Sequence, residues 1–366
     1  QKRRTMRFVL TGGGTGGHIF PAIAIADELK RKFEDAEILF IGAKGKMEEK
    51  VVPDNNYAIR LIEVTGFSRK NVFKNFKFVK NFFSSMRECK KILAEFRPDA
   101  VIGTGGYVSG PVVYSAVKMN IPAIIQEGNS YPGKVTKTMS GKADKVIINF
   151  EETLNFLRRK DNVVRISYPV RSKLKRVDKS TAKRFFGFDN ENKTLFVFGG
   201  SQGAAGINNA VLKILNTLRE KNINLIWQTG KNNFEQIKNE IKDNNESMKL
   251  FGFISEMDMA YSAADLVVCR AGISSIMEIC LLGKASVLIP YPYAAENHQE
   301  KNAVSMAKMN AAVMIKESEQ EEKLSRTIIG LMSDDNKLAE LGGNASRLYD
   351  RDAPEKIVTE IIKTIN

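Results

Sequence analysis

A glycine-rich segment lies between an apolar run and an amphipathic pattern near the start of the chain. The apolar run is Met6–Leu10, five glycines fall within Thr11–Gly17, and apolar residues then recur at helical spacing from Ile19 to Leu29. Glycines let a backbone approach a ligand closely, and the first turn of a helix offers free N–H groups and a favourable dipole to an anion. A turn that only packs a helix on a strand would need one glycine. The segment therefore predicts a binding loop between a β-strand and an α-helix.

Strand and helix patterns alternate along the chain, and the alternation starts twice. A second glycine loop, Gly103–Tyr107, lies in the first half, and a third, Gly199–Ala204, opens the second half. Between Leu157 and Arg184 the pattern weakens, as in a linker. Alternating strands and helices indicate parallel sheets, which bind ligands at the edge where the strands end. The expected fold class is α/β, with two Rossmann-like domains.

Charge and composition narrow the class of partner. The formal net charge of +14 at pH 7 points to an anionic partner, which could be nucleic acid, acidic lipid or a phosphorylated substrate. Three cysteines without a C-x-x-C pair, together with two histidines, argue against a disulfide framework and a His/Cys metal site. No signal peptide or membrane-spanning run is apparent. We expect a cytoplasmic protein, soluble or resting on a membrane, with no metal and no cofactor.

A long helical pattern covers Asn71–Phe96 and carries two apolar groups. One stripe along its whole length is expected in the core: Phe78, Phe82, Met86, Cys89, Leu93 and Phe96. The other group occupies the first half among several lysines: Val72, Phe76, Val79 and Phe83, with Phe73 further round. Two interpretations stay open. The helix could be buried on two sides, or the second group could rest on anionic lipid headgroups.

The first loop matches G-x-G-x-x-G, which by itself permits a dinucleotide-dependent oxidoreductase. Such a site also needs an acidic residue at the end of the second strand, and Ile41–Lys44 has none. In the second half, Cys269–Glu278 combines a strand end, a glycine turn and a helix start. That helix N-terminus can take a diphosphate, and Glu278 can accept both hydroxyls of a ribose. A lipid- or nucleic-acid-binding module would explain the charge but not these loops.

Four motifs carry a family resemblance that covers almost the whole chain. They are Gly13–Ala22, Gly103–Pro111, Gly199–Ala204 and Cys269–Gly272, in the order and with the spacing of the family. The chain resembles the MurG family of peptidoglycan glycosyltransferases. The resemblance implies the GT-B fold, in which the parallel sheets of two Rossmann-like domains face each other across a cleft. It also implies inverting transfer of N-acetylglucosamine from UDP-N-acetylglucosamine to the 4-hydroxyl of undecaprenyl-diphosphate-linked N-acetylmuramoyl-pentapeptide.

The resemblance implies a division of the chain and roles for residues at matching positions. Residues 1–166 would form an acceptor- and membrane-facing domain, residues 167–345 a UDP-sugar-binding domain, and residues 346–366 a helix crossing back to the first domain. Thr15, Gly16 and Gly17 would lie at the donor sugar and diphosphate, Asn129 and Gln299 at the sugar, Arg171 and Ser201 at the diphosphate, Ile254 at the uracil and Glu278 at the ribose. The chain departs from the family at Gln126 and Gly128, where many members have His and Gln.

The attacking hydroxyl must lose a proton, and an imidazole with a pKa near 6.5 suits that task at neutral pH. His18 follows the first glycine loop and is the candidate catalytic base. It could instead cap its helix or bind the acceptor. The candidate membrane contacts are Phe73, Phe76, Val79 and Phe83, which would hold the enzyme peripherally on the inner face of an anionic membrane. No nucleic-acid partner is expected. Another GT-B enzyme with a different lipid acceptor remains an alternative.

Overall fold

The computed structural model describes residues 4–64, 72–171, 174–189, 191–200, 203–241 and 246–365, and the side chains of residues 72–83 are outside this description. The chain divides into two compact units. The first comprises Gln1–Ser172 and Asp350–Asn366, and the second comprises Lys173–Tyr349. The boundaries predicted from the sequence, after residues 166 and 345, lie a few residues earlier.

The described part of the first unit contains a parallel sheet of seven strands, with the order β3-β2-β1-β4-β5-β6-β7. Its strands are β1 (Arg7–Thr11), β2 (Glu37–Ala43), β3 (Ala58–Ile62), β4 (Ala100–Gly103), β5 (Ala123–Glu127), β6 (Lys145–Ile148) and β7 (Val163–Arg165). Its helices are α1 (Gly16–Lys32), α2 (Glu48–Asp54), α3 (Val72–Phe96), α4 (Ser109–Lys118) and α5 (Lys134–Met139), with a 3-10 helix at Glu151–Phe156.

The described part of the second unit contains a parallel sheet of six strands, with the order β10-β9-β8-β11-β12-β13. Its strands are β8 (Thr194–Phe198), β9 (Asn224–Gln228), β10 (Met248–Phe251), β11 (Leu266–Cys269), β12 (Ala285–Leu288) and β13 (Val313–Met314). Its helices are α6 (Lys179–Phe185), α7 (Ala205–Glu220), α8 (Phe234–Glu240), α9 (Met257–Ala263), α10 (Ile273–Leu282), α11 (His298–Lys308), α12 (Gln320–Met332) and α13 (Asp335–Arg347). Short 3-10 helices lie at Ala295–Asn297 and Glu317–Glu319, and α14 (Ala353–Ile365) belongs to the first unit.

Both sheets are buried on two faces, which explains why their strands are almost continuously apolar. On one face of the first sheet, α1 packs with α14, whose Ile357 and Ile361 are fully buried in the same core as Ile19. A salt bridge of 3.4 Å between Lys145 on β6 and Glu360 also holds α14. Full burial of an isoleucine side chain stabilises the fold by about 1.5–3 kcal/mol. The C-terminal helix is therefore an integral part of the first unit's core.

On the other face of the first sheet, α3 and α4 contact each other over a second core. Cys89 and Leu93 of α3 are fully buried there, which confirms the predicted core stripe in that half of the helix. Burial raises the pKa of the Cys89 thiol to about 12. The side chains of the second apolar group on α3, including Phe73 and Phe76, lie outside the described residues. No helix in the described part of the chain is long and apolar enough to cross a membrane.

The strand orders explain where ligands can bind. In each sheet the first strand of the unit lies at the centre, and the chain then adds strands first on one side and later on the other. Loops that leave the two central strands diverge to opposite faces, which opens a crevice at their carboxyl ends. These crevices lie beyond β1 and β4 in the first unit, and beyond β8 and β11 in the second. All three predicted glycine loops follow one of these four strands.

Two local predictions differ from the structure. The sequence predicts a strand at Leu250–Phe253, but β10 ends at Phe251, so Phe253 and Ile254 lie in the loop beyond it. The short helix α2 is not predicted, because its seven residues are too few to show a helical period. Both differences concern segments that reach the carboxyl edge of a sheet, and α2 supplies a residue to the first glycine loop.

A buried lysine should make the stability of the second unit depend on pH. Lys284 Nζ donates to the carbonyl of Ala264 at 2.8 Å, and burial lowers the pKa of Lys284 from 10.5 to about 8. Between these values the unfolded chain binds a proton that the folded chain does not, so the unfolding free energy rises with pH. From pH 8 to 10 the wild type should gain roughly 2 kcal/mol relative to Lys284→Met.

Urea unfolding followed by tryptophan fluorescence measures this difference, because the single tryptophan of the chain, Trp227, is fully buried in the second unit. Below pH 8 the two proteins should show parallel pH profiles, since Lys284 is then protonated in both the folded and the unfolded chain. A difference between the two proteins that stays constant from pH 8 to 10 would contradict the assignment.

Candidate active site

The first two glycine loops contact each other at the carboxyl ends of β1 and β4. The amide of Gly13 donates to the carbonyl of Gly105 at 3.3 Å, and Thr104 Oγ1 donates to the carbonyl of His18 at 2.6 Å. Gly106 has a φ of +83°, and a Cβ there would lie 2.3 Å from the carbonyl oxygen of Gly13. Glycine is therefore required where the loops meet, which accounts for the similar glycine clusters in both.

The imidazole of His18 is oriented by the first loop. Its Nδ1 lies 3.1 Å from the carbonyl oxygen of Gly13 and 3.2 Å from Thr15 Oγ1. A carbonyl can only accept a hydrogen bond, so Nδ1 carries the proton and Nε2 of the neutral ring keeps a lone pair. A Cβ on Gly105 would lie 2.9 Å from Nε2, so a side chain at this position would displace the imidazole. The ring is thus held in the tautomer that a general base needs.

Glu48 of α2 anchors the first loop, a role that is not predicted from the sequence. Its side chain is 1% exposed. Oε2 accepts from the amide of Gly14 at 2.9 Å, and Oε1 accepts from the amide of Ala43 at 3.0 Å. A Cβ on Gly13 would lie 2.1 Å from Oε1, so the loop backbone passes directly over the carboxylate. A carboxylate in this position disfavours a phosphate at the first loop.

The segment after β7 lies against the first turn of α1. The hydroxyl of Tyr168 donates to the carbonyl of Gly17 at 2.6 Å, and the guanidinium carbon of Arg171 lies 4.7 Å from the ring centre of Phe20. A cation over an aromatic face is a favourable arrangement, and the planar guanidinium also suits phosphate. The predicted residues Thr15, Gly16, Gly17, His18 and Arg171 are therefore gathered around the N-terminus of one helix.

Asn129 lies in the loop after β5, where a buried carboxylate holds it. Glu127 Oε1 accepts from both the backbone amide and the side-chain amide of Asn129, each at 3.0 Å. Glu127 Oε2 accepts from the amide of Gly133 at 3.0 Å and from Thr136 Oγ1 at 2.7 Å. The predicted sugar-binding residue is thus fixed by its neighbour two positions earlier. An acid at the carboxyl end of a strand was a visible signal for Glu127.

The third glycine loop lies on the ends of β8 and β9. Gly203 has a φ of +80°, and a Cβ there would lie 2.1 Å from the carbonyl oxygen of Thr229. The buried side chain of Gln228 joins two predicted segments: Nε2 donates to the carbonyl of Gly200 at 3.2 Å, and Oε1 accepts from the amide of Ile254 at 2.8 Å. The backbone of Ile254, the predicted contact for the uracil, is thus held by Gln228. Ser201 lies outside the described residues.

Glu278 lies in the second turn of α10, as the sequence predicts, and only 6% of it is exposed. The hydroxyl of Tyr261 donates to Glu278 Oε2 at 2.9 Å. The helix starts at Gly272, which has no side chain to cap it, and its first turn contains no acidic residue. The N-terminus of α7 likewise has no capping side chain and no acid in its first turn. Both helices can direct N–H groups at an anion beyond the central strands.

Gln299 lies in the first turn of α11, at the end of the sheet where β12 finishes. Its Oε1 accepts from the amide of Tyr291 at 3.0 Å, which holds the loop that leads into α11. One turn later, Asn302 Nδ2 donates to the carbonyl of Ala271 at 3.4 Å. Asn302 therefore ties the helix that carries Gln299 to the turn that precedes α10. Among the described residues, no group of three or more His, Cys, Asp and Glu side chains could hold a metal ion.

Comparison with known proteins agrees with this geometry. Residues 8–148 match the N-terminal domain model of glycosyltransferase family 28, and residues 194–357 match its C-terminal domain model. A crystal structure of Acinetobacter baumannii MurG superimposes with a TM-score of 0.77 at 28% identity, covering 98% of this chain and 99% of that one. The two parallel sheets and the similarity to this structure and to both family models show the GT-B fold, which confirms the predicted fold class.

The chain is therefore a glycosyltransferase of family 28 with the GT-B fold. Within it, a Parabacteroides distasonis protein is 42% identical over 99% of both chains, and a Porphyromonas gingivalis protein is 42% identical over 98% of this chain and 96% of its own. Both are named UDP-N-acetylglucosamine–N-acetylmuramyl-(pentapeptide) pyrophosphoryl-undecaprenol N-acetylglucosamine transferase. The chain belongs to that family, the MurG family.

Proposed function

We propose that the chain transfers N-acetylglucosamine from UDP-N-acetylglucosamine to undecaprenyl-diphosphate-linked N-acetylmuramoyl-pentapeptide, which converts lipid I to lipid II in peptidoglycan synthesis. The observation that carries this proposal is 42% identity over 99% of the chain to a relative named for this reaction. The geometry supports it independently. An oriented imidazole lies in the first unit, and anion-binding helix termini and a buried carboxylate lie in the second.

The second unit is proposed to bind the UDP donor. The N-termini of α7 and α10 would stabilise the diphosphate, with Ser201 adding a hydroxyl. The backbone of Ile254 would take the uracil, Glu278 the ribose and Gln299 the sugar. Strands β8 and β11, which precede these two helices, are neighbours at the centre of the sheet, and this is where nucleotides bind in such folds. The hydrogen bonds of Gln228 and Asn302 hold the surrounding loops in place.

The first unit is proposed to bind the acceptor and to supply the base. Thr15, Gly16 and Gly17, with Asn129, would contact the transferred sugar, and Arg171 would contact the diphosphate. The acceptor's 4-hydroxyl attacks the anomeric carbon, and a new C–O bond forms as the bond to UDP breaks. The proton of the hydroxyl passes to Nε2 of His18, and the departing UDP takes the electron pair. Positive helix termini and a guanidinium can stabilise that charge as it develops.

A transfer assay with UDP-N-acetylglucosamine and a lipid I analogue tests the function, and His18→Ala tests the base. The wild type should form the β-linked disaccharide product. The variant should lose turnover by roughly 10²–10⁴-fold, because no group then removes the proton. Calorimetry should show nearly unchanged UDP affinity, which separates the base from a donor-binding role. A variant with close to normal turnover would place the base elsewhere, and wild type without any product would refute the proposed reaction.

Glu278→Gln tests the ribose contact, because it keeps the size of the side chain and removes its charge. A hydrogen bond to a charged group is worth about 1.5–3 kcal/mol, so UDP affinity measured by calorimetry should fall about ten- to hundredfold. Glu322→Gln is the matched control, because Glu322 is exposed on α12 and is not among the proposed ligands. Equal UDP affinity in the wild type and in both variants would exclude Glu278 as the ribose ligand.

The first unit is also proposed to rest on an anionic membrane, because the acceptor is lipid-linked. The candidate contacts are Phe73, Phe76, Val79 and Phe83 in the first half of α3, whose side chains lie outside the described residues. Support comes from the net charge of +14 and from the lysines among these apolar residues. Each basic residue near such a surface contributes about 1 kcal/mol.

Sedimentation with vesicles tests the membrane proposal. The chain should bind vesicles containing phosphatidylglycerol and release them between about 0.01 M and 1 M salt, over which the Debye length falls from about 30 Å to 3 Å. Vesicles of phosphatidylcholine alone control for binding that needs no negative charge. Failure to bind the anionic vesicles at low salt would overturn the proposal while leaving the transfer reaction untouched.

A further inference from the structure

A buried tyrosine is attached to the proposed ribose ligand. Tyr261 on α9 is fully buried, and its hydroxyl donates to Glu278 Oε2 at 2.9 Å. The two side chains come from different helices, α9 and α10, which contact each other. A charge-assisted bond of this kind is stronger than a bond between neutral groups, and it gives one carboxylate oxygen of Glu278, a residue that is 6% exposed, a hydrogen-bond partner.

The ring that carries this hydroxyl is held by aromatic side chains of β8. Phe196 and Phe198 stack on each other with ring centres 4.8 Å apart. The ring of Tyr261 is nearly perpendicular to both. Its centre lies 5.4 Å from that of Phe196 and 5.8 Å from that of Phe198, with interplanar angles of 87° and 89°. Such edge-to-face contacts are favourable and leave the ring little freedom. The position of the hydroxyl is therefore set by the central strand of the sheet.

A carboxylate recognises a vicinal diol by accepting one hydrogen bond at each oxygen, so its plane must be correctly turned. A glutamate side chain has three rotatable bonds, and fixing them on binding opposes affinity. An acceptor that is already oriented avoids this loss. The ring of Tyr261 has only two side-chain torsions and is packed against β8, so its hydroxyl has a fixed position. The hydrogen bond from this hydroxyl therefore fixes Oε2 of Glu278 and, with it, the orientation of the carboxylate.

We propose that Tyr261 is a positioning residue for nucleotide recognition: it holds the Glu278 carboxylate so that the site distinguishes a ribose from a 2-deoxyribose. The inference rests on the proposed role of Glu278 and adds to it a group that does not touch the substrate. It predicts a particular pattern. Loss of the hydroxyl should weaken binding of nucleotides that carry the diol and leave the 2′-deoxy analogue almost unaffected.

The experiment compares UDP with 2′-deoxy-UDP by calorimetry in the wild type and in Tyr261→Phe, which keeps the packed ring. The dissociation constant of 2′-deoxy-UDP divided by that of UDP should fall about three- to tenfold in the variant, mainly because UDP binds more weakly. Tyr57→Phe is the matched control, because the hydroxyl of Tyr57 donates to a carboxylate, Asp27 Oδ1, at 2.7 Å in the first unit. That variant should leave the ratio unchanged.

Two results would overturn the proposal. Unchanged affinity for both nucleotides would show that the hydroxyl does not orient the carboxylate. An equal loss of affinity for both nucleotides would show a general structural role. A double-mutant cycle of Tyr261→Phe with Glu278→Gln gives a second measure, because the effects on UDP affinity should be less than additive if one residue acts through the other. Additive effects would contradict that. Unchanged UDP affinity in Glu278→Gln alone would remove the proposed ribose role instead.

Discussion

The contact between the first two glycine loops is the constraint on which the geometry of the first unit depends. β1 and β4 are neighbours in a parallel sheet, so the loops after them leave the same edge side by side. Without side chains at Gly13, Gly105 and Gly106, the backbones come close enough to hydrogen-bond. The imidazole of His18 then lies against both loops, with Nδ1 3.1 Å from the carbonyl oxygen of Gly13. Gly105 matters most for this arrangement, because a Cβ there would lie 2.5 Å from Cδ2 of the His18 ring.

Buried carboxylates hold the loops that the glycines make flexible. Glycine loops lose more conformational entropy on folding than other segments, so they need fixed partners. Glu48 binds amides of the first loop and of the end of β2, and Glu127 binds two amides and two side-chain groups of the loop that carries Asn129. Each is almost fully buried, and each is satisfied by N–H or O–H donors. The loops are therefore preorganised by charge-assisted bonds.

The sequence was sufficient to predict the parallel α/β halves, because buried strands and amphipathic helices have distinct periods, and Cys89 and Leu93 confirm the predicted core stripe. The four glycine-containing motifs were sufficient to predict membership of the MurG family, which the comparisons with known proteins confirm. Glu48 could not be predicted, because its contact joins residues separated by 34 positions through the packing of a seven-residue helix. Gln228 and Tyr261 were missed for a similar reason: in sequence they look like ordinary strand and helix residues, and only the fold shows what they bind.

The two units share a strand order but differ in what holds the loops where their central strands end. In the first, the amide of Gly14 is already bonded to a buried carboxylate, which opposes a phosphate there. In the second, no side chain caps the N-termini of α7 and α10, as none caps α1 in the first, and N–H groups at such helix starts are suited to an anion. A common fold can thus serve two tasks. In the proposed division of tasks, the first unit holds the acceptor hydroxyl and its base, and the second unit holds the leaving diphosphate.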